Sequence, residues 1–188
     1  MPNWVLLLMK KELFVEVEIP EGVEVKVDES LISVKGAEGE NKKKVDIGKL
    51  KIEVKEGKVV IGNEKSTKRE KKMMNTIESH VKNMIKGVQE KFVYNLKAVF
   101  AHFPFNVEVN GQDIVIKNFL GEKVDRTTTL PSGAEIEVNG QDIVIKSADK
   151  EIAGQAAANL EKVTRIRNKD RRIFQDGIFI TNKAGKEI

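Results

Sequence analysis

The chain contains no cysteine, which excludes disulfides, thiolate metal sites and a cysteine nucleophile together. It has only two histidines, His80 and His102, too few for a multi-histidine metal centre. Long apolar runs are missing as well: the longest, Val5 to Met9, falls far short of a membrane span. No basic segment precedes that run and no small-residue cleavage site follows it, so a secretory signal is not expected. The expectation is a soluble, intracellular protein with no membrane partner. What is present supports a real core. Of 188 residues, 40% are apolar and 33% charged, enough for one large domain or two of roughly 90 residues each.

The net charge of +4 is unevenly placed. From Lys162 to Ile188 there are eight basic residues, Lys162, Arg165, Arg167, Lys169, Arg171, Arg172, Lys183 and Lys186, against three acids. Those 27 residues carry +5, so the other 161 sum to −1. Half of the eight are Arg, whose planar fork suits bidentate contacts with phosphate. A second basic cluster, Lys65 to Lys72, contains Lys68, Arg69 and Lys72 and opens an expected helix. By itself that cluster reads equally well as a solvated helix start.

The ten residues Glu108–Lys117, EVNGQDIVIK, recur unchanged as Glu137–Lys146. Each copy alternates apolar and polar residues on both sides of Asn-Gly, the pattern of a β-hairpin with an Asn-Gly turn. Val107, Val109, Ile114 and Ile116 should share one face, as should Ile136, Val138, Ile143 and Ile145. The first half repeats the design more loosely. Val23, Val25 and Val27 precede a turn at Asp28-Glu29-Ser30, then Ile32 and Val34 return. Ile52 and Val54 precede Glu56-Gly57, then Val59 and Ile61 return.

Each half then ends in a helix. Thr67-Lys68-Arg69-Glu70 fits a capping box. Met74, Ile77, Val81, Met84, Ile85 and Val88 form the first helix's apolar stripe, with Gly87 as its expected stop. The second helix should run from about Asp149 to Val163, with Ile152, Ala156, Leu160 and Val163 towards the sheet. Lys91–Phe105 joins the halves and holds five of the ten aromatic residues. The alternation of Phe92, Tyr94, Leu96, Ala98 and Phe100 predicts a strand with its aromatics in the core. The fold class that follows is α+β: a tandem duplication in which each repeat is a small antiparallel β-sheet packed against one α-helix. Its expected divisions are an N-terminal extension over 1–10, a first repeat over 11–90, a second over 91–164, and a basic C-terminal segment over 165–188.

No catalytic apparatus is visible. Neither histidine has a partner at zinc or triad spacing, and the strand glutamates occupy solvent-facing positions. Gly36-Ala37-Glu38-Gly39 lacks the Lys-Ser/Thr of a phosphate loop. No enzyme activity, cofactor or metal is expected. The confined basic excess instead favours one defined footprint on a folded RNA. The competing reading is a duplicated protein-interaction module that grips a peptide through its sheet edges or aromatic strand.

Five segments stand in an order that resembles a known family: Ser79–Val88, Ala101–Asn106, Asn118–Lys123, Asp149–Asn159 and Lys169–Ile180. Together they are similar to the large-subunit ribosomal protein six family, in its archaeal and eukaryotic branch, over about residues 11–185. The resemblance implies a structural, non-catalytic role in the cytoplasmic ribosome. It further implies binding to large-subunit ribosomal RNA near the sarcin–ricin stem and the translation-factor region, beside neighbouring ribosomal proteins. Carried onto this chain, the RNA-binding residues are Arg165, Arg167, Lys169, Arg171, Arg172, Lys183 and Lys186, with Asp176-Gly177 as a turn setting the segment's direction. Lys68, Arg69 and Lys72 join them as candidates from the charge pattern. Where the family has Gly-Pro-x-Gly with basic neighbours, this chain has the acidic Gly36-Ala37-Glu38-Gly39-Glu40, which is not expected to touch phosphate. The isolated protein is expected to be a monomer. The charge density of the tail is that of a segment ordering on contact with RNA.

Overall fold

The computed structural model describes residues 11–55 and 57–188; the expected extension over 1–10 lies outside the described residues, as does Glu56 of the second expected turn. The chain divides after Glu90 into two compact units.

In the first unit, β1 (Lys11–Glu18), β5 (Lys51–Lys55) and β6 (Lys58–Ser66) form an antiparallel sheet in the order β1-β6-β5. A second sheet runs β2 (Glu24–Asp28), β3 (Leu31–Gly36), β4 (Gly39–Lys44) in sequence order. Helix α1 (Lys68–Gln89) closes both, burying Met74, Ile77, Val81, Met84, Ile85 and Val88 against Ile32, Val34, Val59 and Ile61. Each such side chain removed from water contributes about 1.5–3 kcal/mol. Thr67 caps the helix as its sequence predicts: its side-chain oxygen accepts from Arg69 N–H at 3.3 Å, and Glu70 accepts from Thr67 N–H at 2.8 Å. Gly87 does not stop the helix. It is buried within α1, which continues to Gln89 and ends with Glu90 N–H donating to Lys86 C=O. The acidic hairpin tip is occupied structurally. Glu38 N–H donates to Val88 C=O at 2.9 Å, and a Cβ at Gly36 would lie 2.8 Å from a Val88 methyl.

The second unit repeats that plan strand for strand. β7 (Phe92–Val99), β11 (Glu135–Asn139) and β12 (Asp142–Ser147) take the order β7-β12-β11, and β8 (Asn106–Asn110), β9 (Asp113–Lys117) and β10 (Arg126–Thr129) form the smaller sheet. Helix α2 (Lys150–Val163) follows, N-capped by Asp149. The α+β tandem duplication is therefore present, with two sheets per unit sharing one helix. The second unit adds β13 (Gly177–Lys183) and β14 (Lys186–Glu187), joined to the other side of β7 to give β11-β12-β7-β13-β14. Phe92, Tyr94, Leu96 and Ala98 alternate inward along β7 as expected and meet Ile114, Ile116, Ile143, Ile145, Leu160 and Ile178 in one core.

Two local expectations change. Both decapeptide hairpins form, with Val107 opposite Ile116 and Ile136 opposite Ile145, but their two-residue loops are Gly-Gln, since Asn110 pairs with Asp113 and Asn139 with Asp142. Positive φ falls on Gly111 and Gly140 alone, a glycine-first turn with Asn as the last strand residue. On α2 the residues fully buried are Ala153, Ala156, Ala157 and Leu160, while Ile152 and Val163 are half-buried. The alanines let the helix sit close to the strands, and the bulkier residues flank that contact.

Candidate nucleic-acid interface

The basic C-terminal residues lie on the connection that the added strand requires. Helix α2 ends at Val163, and the chain must travel from there to Gly177 to enter β13. Both ends of this loop are fastened to one place. Thr164, the helix C-cap, is buried, and its hydroxyl oxygen accepts from Ile178 N–H at 3.0 Å while the hydroxyl lies 3.2 Å from Glu161 C=O. Arg126 on β10 reaches the same corner, donating to Val163 C=O at 2.8 Å and Arg165 C=O at 3.1 Å. Its guanidinium also lies 4.3 Å over the Phe119 ring and pairs with Glu122, whose carboxyl pKa that hydrogen bonding lowers. These contacts satisfy carbonyls that a helix end otherwise leaves open.

The returning end is held by Asp176. Its carboxylate is buried, accepting from His102 Nδ1 at 2.9 Å and from His102 backbone N–H at 3.2 Å. Burial acts to raise this carboxyl's pKa, but the hydrogen bonds from the His102 ring and from the His102 and Ala101 backbones bring it below the ordinary value. The His102 ring stacks on Phe174 at 4.7 Å. Asp176-Gly177 is therefore not a turn: Gly177 is the first residue of β13, and Asp176 is an anchor. Within the loop, Asp170 accepts from Arg172 N–H through its side chain and from Phe174 N–H through its carbonyl, each at 2.9 Å. A thirteen-residue loop, 164–176, with joined ends and internal packing is an Ω-loop. Contacts within the chain therefore fasten the segment at both ends and in its interior.

On this loop Arg165, Arg167, Lys169, Arg171 and Arg172 are all exposed. Among the described residues none of the four arginines forms an ion pair with a carboxylate of the chain, while Lys169 Nζ lies 4.6 Å over the Phe174 ring. Lys183 and Lys186 stand apart on the β13–β14 hairpin, in register with each other and exposed. Ala184 and Gly185, both at positive φ, make the turn between them.

Lys68, Arg69 and Lys72 lie on the exposed face of the start of α1 in the first unit. Arg69 and Lys72 border a hollow of about 450 Å3 that Lys43, Lys44 and His80 also line, and Lys68 does not. Lys43 Nζ is 3.2 Å from His80 Nδ1. Lys43 and Lys44 join this set only through the fold, although the basic run Lys42-Lys43-Lys44 is visible in the sequence. No comparable signal existed for Arg126, Thr164 or the His102–Asp176 pair, whose members are 74 residues apart. That pair has the geometry of a base and its orienting carboxylate. Among the described residues no serine or threonine hydroxyl is hydrogen-bonded to the ring.

Comparison with known proteins gives a family match in both units. The model described as ribosomal protein L6 matches residues 19–91 and again 103–177. A large ribosomal subunit protein uL6 of Methanosarcina mazei is 44% identical over 176 residues, covering 94% of this chain and all of that protein. The protein of the same name from Methanobrevibacter smithii is 43% identical over 168 residues, covering 89% of this chain and 94% of its own length. That of Methanocella arvoryzae is 40% identical over 177 residues, covering 94% and 100%.

Proposed function

This chain belongs to the ribosomal protein L6 family, and from that premise we propose that it holds large-subunit ribosomal RNA with the Ω-loop of its second unit. It is a structural, non-enzymatic constituent of the large ribosomal subunit, acting in the cytoplasm as part of the translating ribonucleoprotein. The RNA site is the region of the sarcin–ricin stem, close to where translation factors land. Arg165, Arg167, Lys169, Arg171 and Arg172 contact phosphates, Lys183 and Lys186 extend the footprint, and Lys68, Arg69 and Lys72 provide a smaller set on the first unit.

One observation carries the reading. Four arginines are displayed without carboxylate partners among the described residues, on a loop whose ends are pinned by Thr164, Arg126 and the His102–Asp176 pair. Such a loop loses little conformational entropy on binding, so its phosphate contacts appear as affinity. Filter binding of the purified chain to an rRNA fragment containing the sarcin–ricin stem tests this across a salt series. Replacing Arg165, Arg167, Arg171 and Arg172 together with Ala should weaken binding and reduce the log–log salt slope by about 3, at roughly 0.7–0.9 for each phosphate left unneutralised. An unchanged slope and affinity refute the assignment.

A further inference from the structure

Beside the Ω-loop, between the end of α2 and strand β13, lies a hollow of about 730 Å3. Its lining combines two chemistries. Lys162, Arg165 and Arg171 supply positive charge, in excess over the exposed Glu161 and the buried Asp176 that His102 already holds, and Val99, Phe174 and Phe179 supply apolar surface. Phe179 is the unusual member, since a phenylalanine 41% exposed on a strand costs solubility and adds nothing to the core. Its environment gives the ring a fixed place. Gly177 lies two residues earlier on the same strand face, and a Cβ there would come within 3.3 Å of the Phe179 ring. The missing side chain leaves room for the ring beside the backbone. Val99, directly opposite Gly177 on β7 and 39% exposed, adjoins it.

We propose that this hollow receives a single unpaired nucleotide of the bound RNA, with its base stacked on Phe179 and its flanking phosphates held by Lys162, Arg165 and Arg171. The inference rests on the RNA-binding reading above and adds to it: recognition includes an extruded base as well as backbone charge. Charge complementarity selects the occupant, because three cations against two carboxylates, one of them already bonded to His102, leave a positive excess beside an aromatic floor and match a nucleotide, which carries an anionic group and a π-face together. A duplex alone offers no base to the ring.

The test uses the full chain and two RNAs, the rRNA fragment containing the sarcin–ricin stem and the same fragment with its unpaired positions closed into continuous duplex. Phe179→Leu and Phe179→Ala remove the stacking surface, and Phe179→Tyr keeps it. Loss of one base–aromatic stack should weaken binding to the native fragment about 5- to 150-fold for the Leu and Ala variants, with the salt slope unchanged. The Tyr variant should bind as the parent does, and the closed duplex should bind all four proteins alike and more weakly. Phe179→Leu binding the native fragment with parental affinity, or losing equal affinity for both RNAs, overturns the nucleotide site. Arg165→Ala/Arg171→Ala in the parent separates the two proposals. A reduced salt slope there together with indifferent Phe179 variants leaves RNA binding standing and removes only the base pocket.

Discussion

Replacing His102 with Ala is the sharpest test of how the Ω-loop is held. The substitution removes the ring nitrogen 2.9 Å from Asp176 and the ring stacked on Phe174, while the backbone N–H to Asp176 remains. A hydrogen bond to a charged acceptor is worth about 1.5–3 kcal/mol, and an aromatic pair about 0.5–1.5 kcal/mol. The combined loss should be about 2–4 kcal/mol, because the carboxylate left behind is buried with fewer partners. Amide hydrogen exchange over residues 164–178 in the full chain reads this locally, and protection there should fall at least about tenfold. RNA affinity should fall with it while the salt slope stays put, since every phosphate-binding side chain is still present. Acid provides an independent arm. The folded-state pKa of Asp176 lies below the ordinary aspartate value of 3.8, so its contribution is complete above that pH. As pH drops past 3.8 the unfolded carboxyl takes up its proton first, and the stabilisation disappears through the lower folded-state pKa. Asp176→Asn should flatten that acid limb. Protection unchanged in the His102 variant, together with an acid limb identical to the parent's, would refute the anchoring role.

Other substitutions probe neighbouring links. Arg126→Ala removes donors to Val163 and Arg165 carbonyls and should cost about 1–3 kcal/mol in urea unfolding, with weaker RNA binding; Arg126→Lys should recover only part. Thr164→Val strips the buried Ile178 N–H of its acceptor, and a loss of about 1–3 kcal/mol is expected from the same assay. Gly36→Ala should destabilise the first unit by about 1–3 kcal/mol, because the added carbon meets both the Val88 methyl and its carbonyl, seen as reduced protection in β3 without change in RNA affinity. Thr67→Ala removes the α1 cap at about 1 kcal/mol, measurable as a lower thermal midpoint.

What periodicity could determine, it determined. Strand alternation put Val107, Val109, Ile114 and Ile116 on one face, and Ile136, Val138, Ile143 and Ile145 on another, and a spacing of three and four fixed the buried face of α1, because those patterns follow from backbone geometry within a few residues. Thr67 and Glu70 were legible for the same reason, as caps act between near neighbours. Local pattern misplaced Gly87, since a glycine wanted for close packing looks the same in sequence as one wanted for a helix stop. It misplaced the decapeptide turns too, because Asn-Gly and Gly-Gln loops start one residue apart and shift each cross-strand partner by two, which leaves the faces unchanged and which only the pairing of Asn110 with Asp113 fixes. The basic residues were readable as composition, but their presentation was not. His102 and Asp176 meet because β7 and β13 pair side by side, and Arg126 reaches the end of α2 from a different sheet. Charge is a property of the chain and can be counted along it. Holding that charge on a fixed loop depends on contacts between distant residues, and those exist only once the second unit has closed.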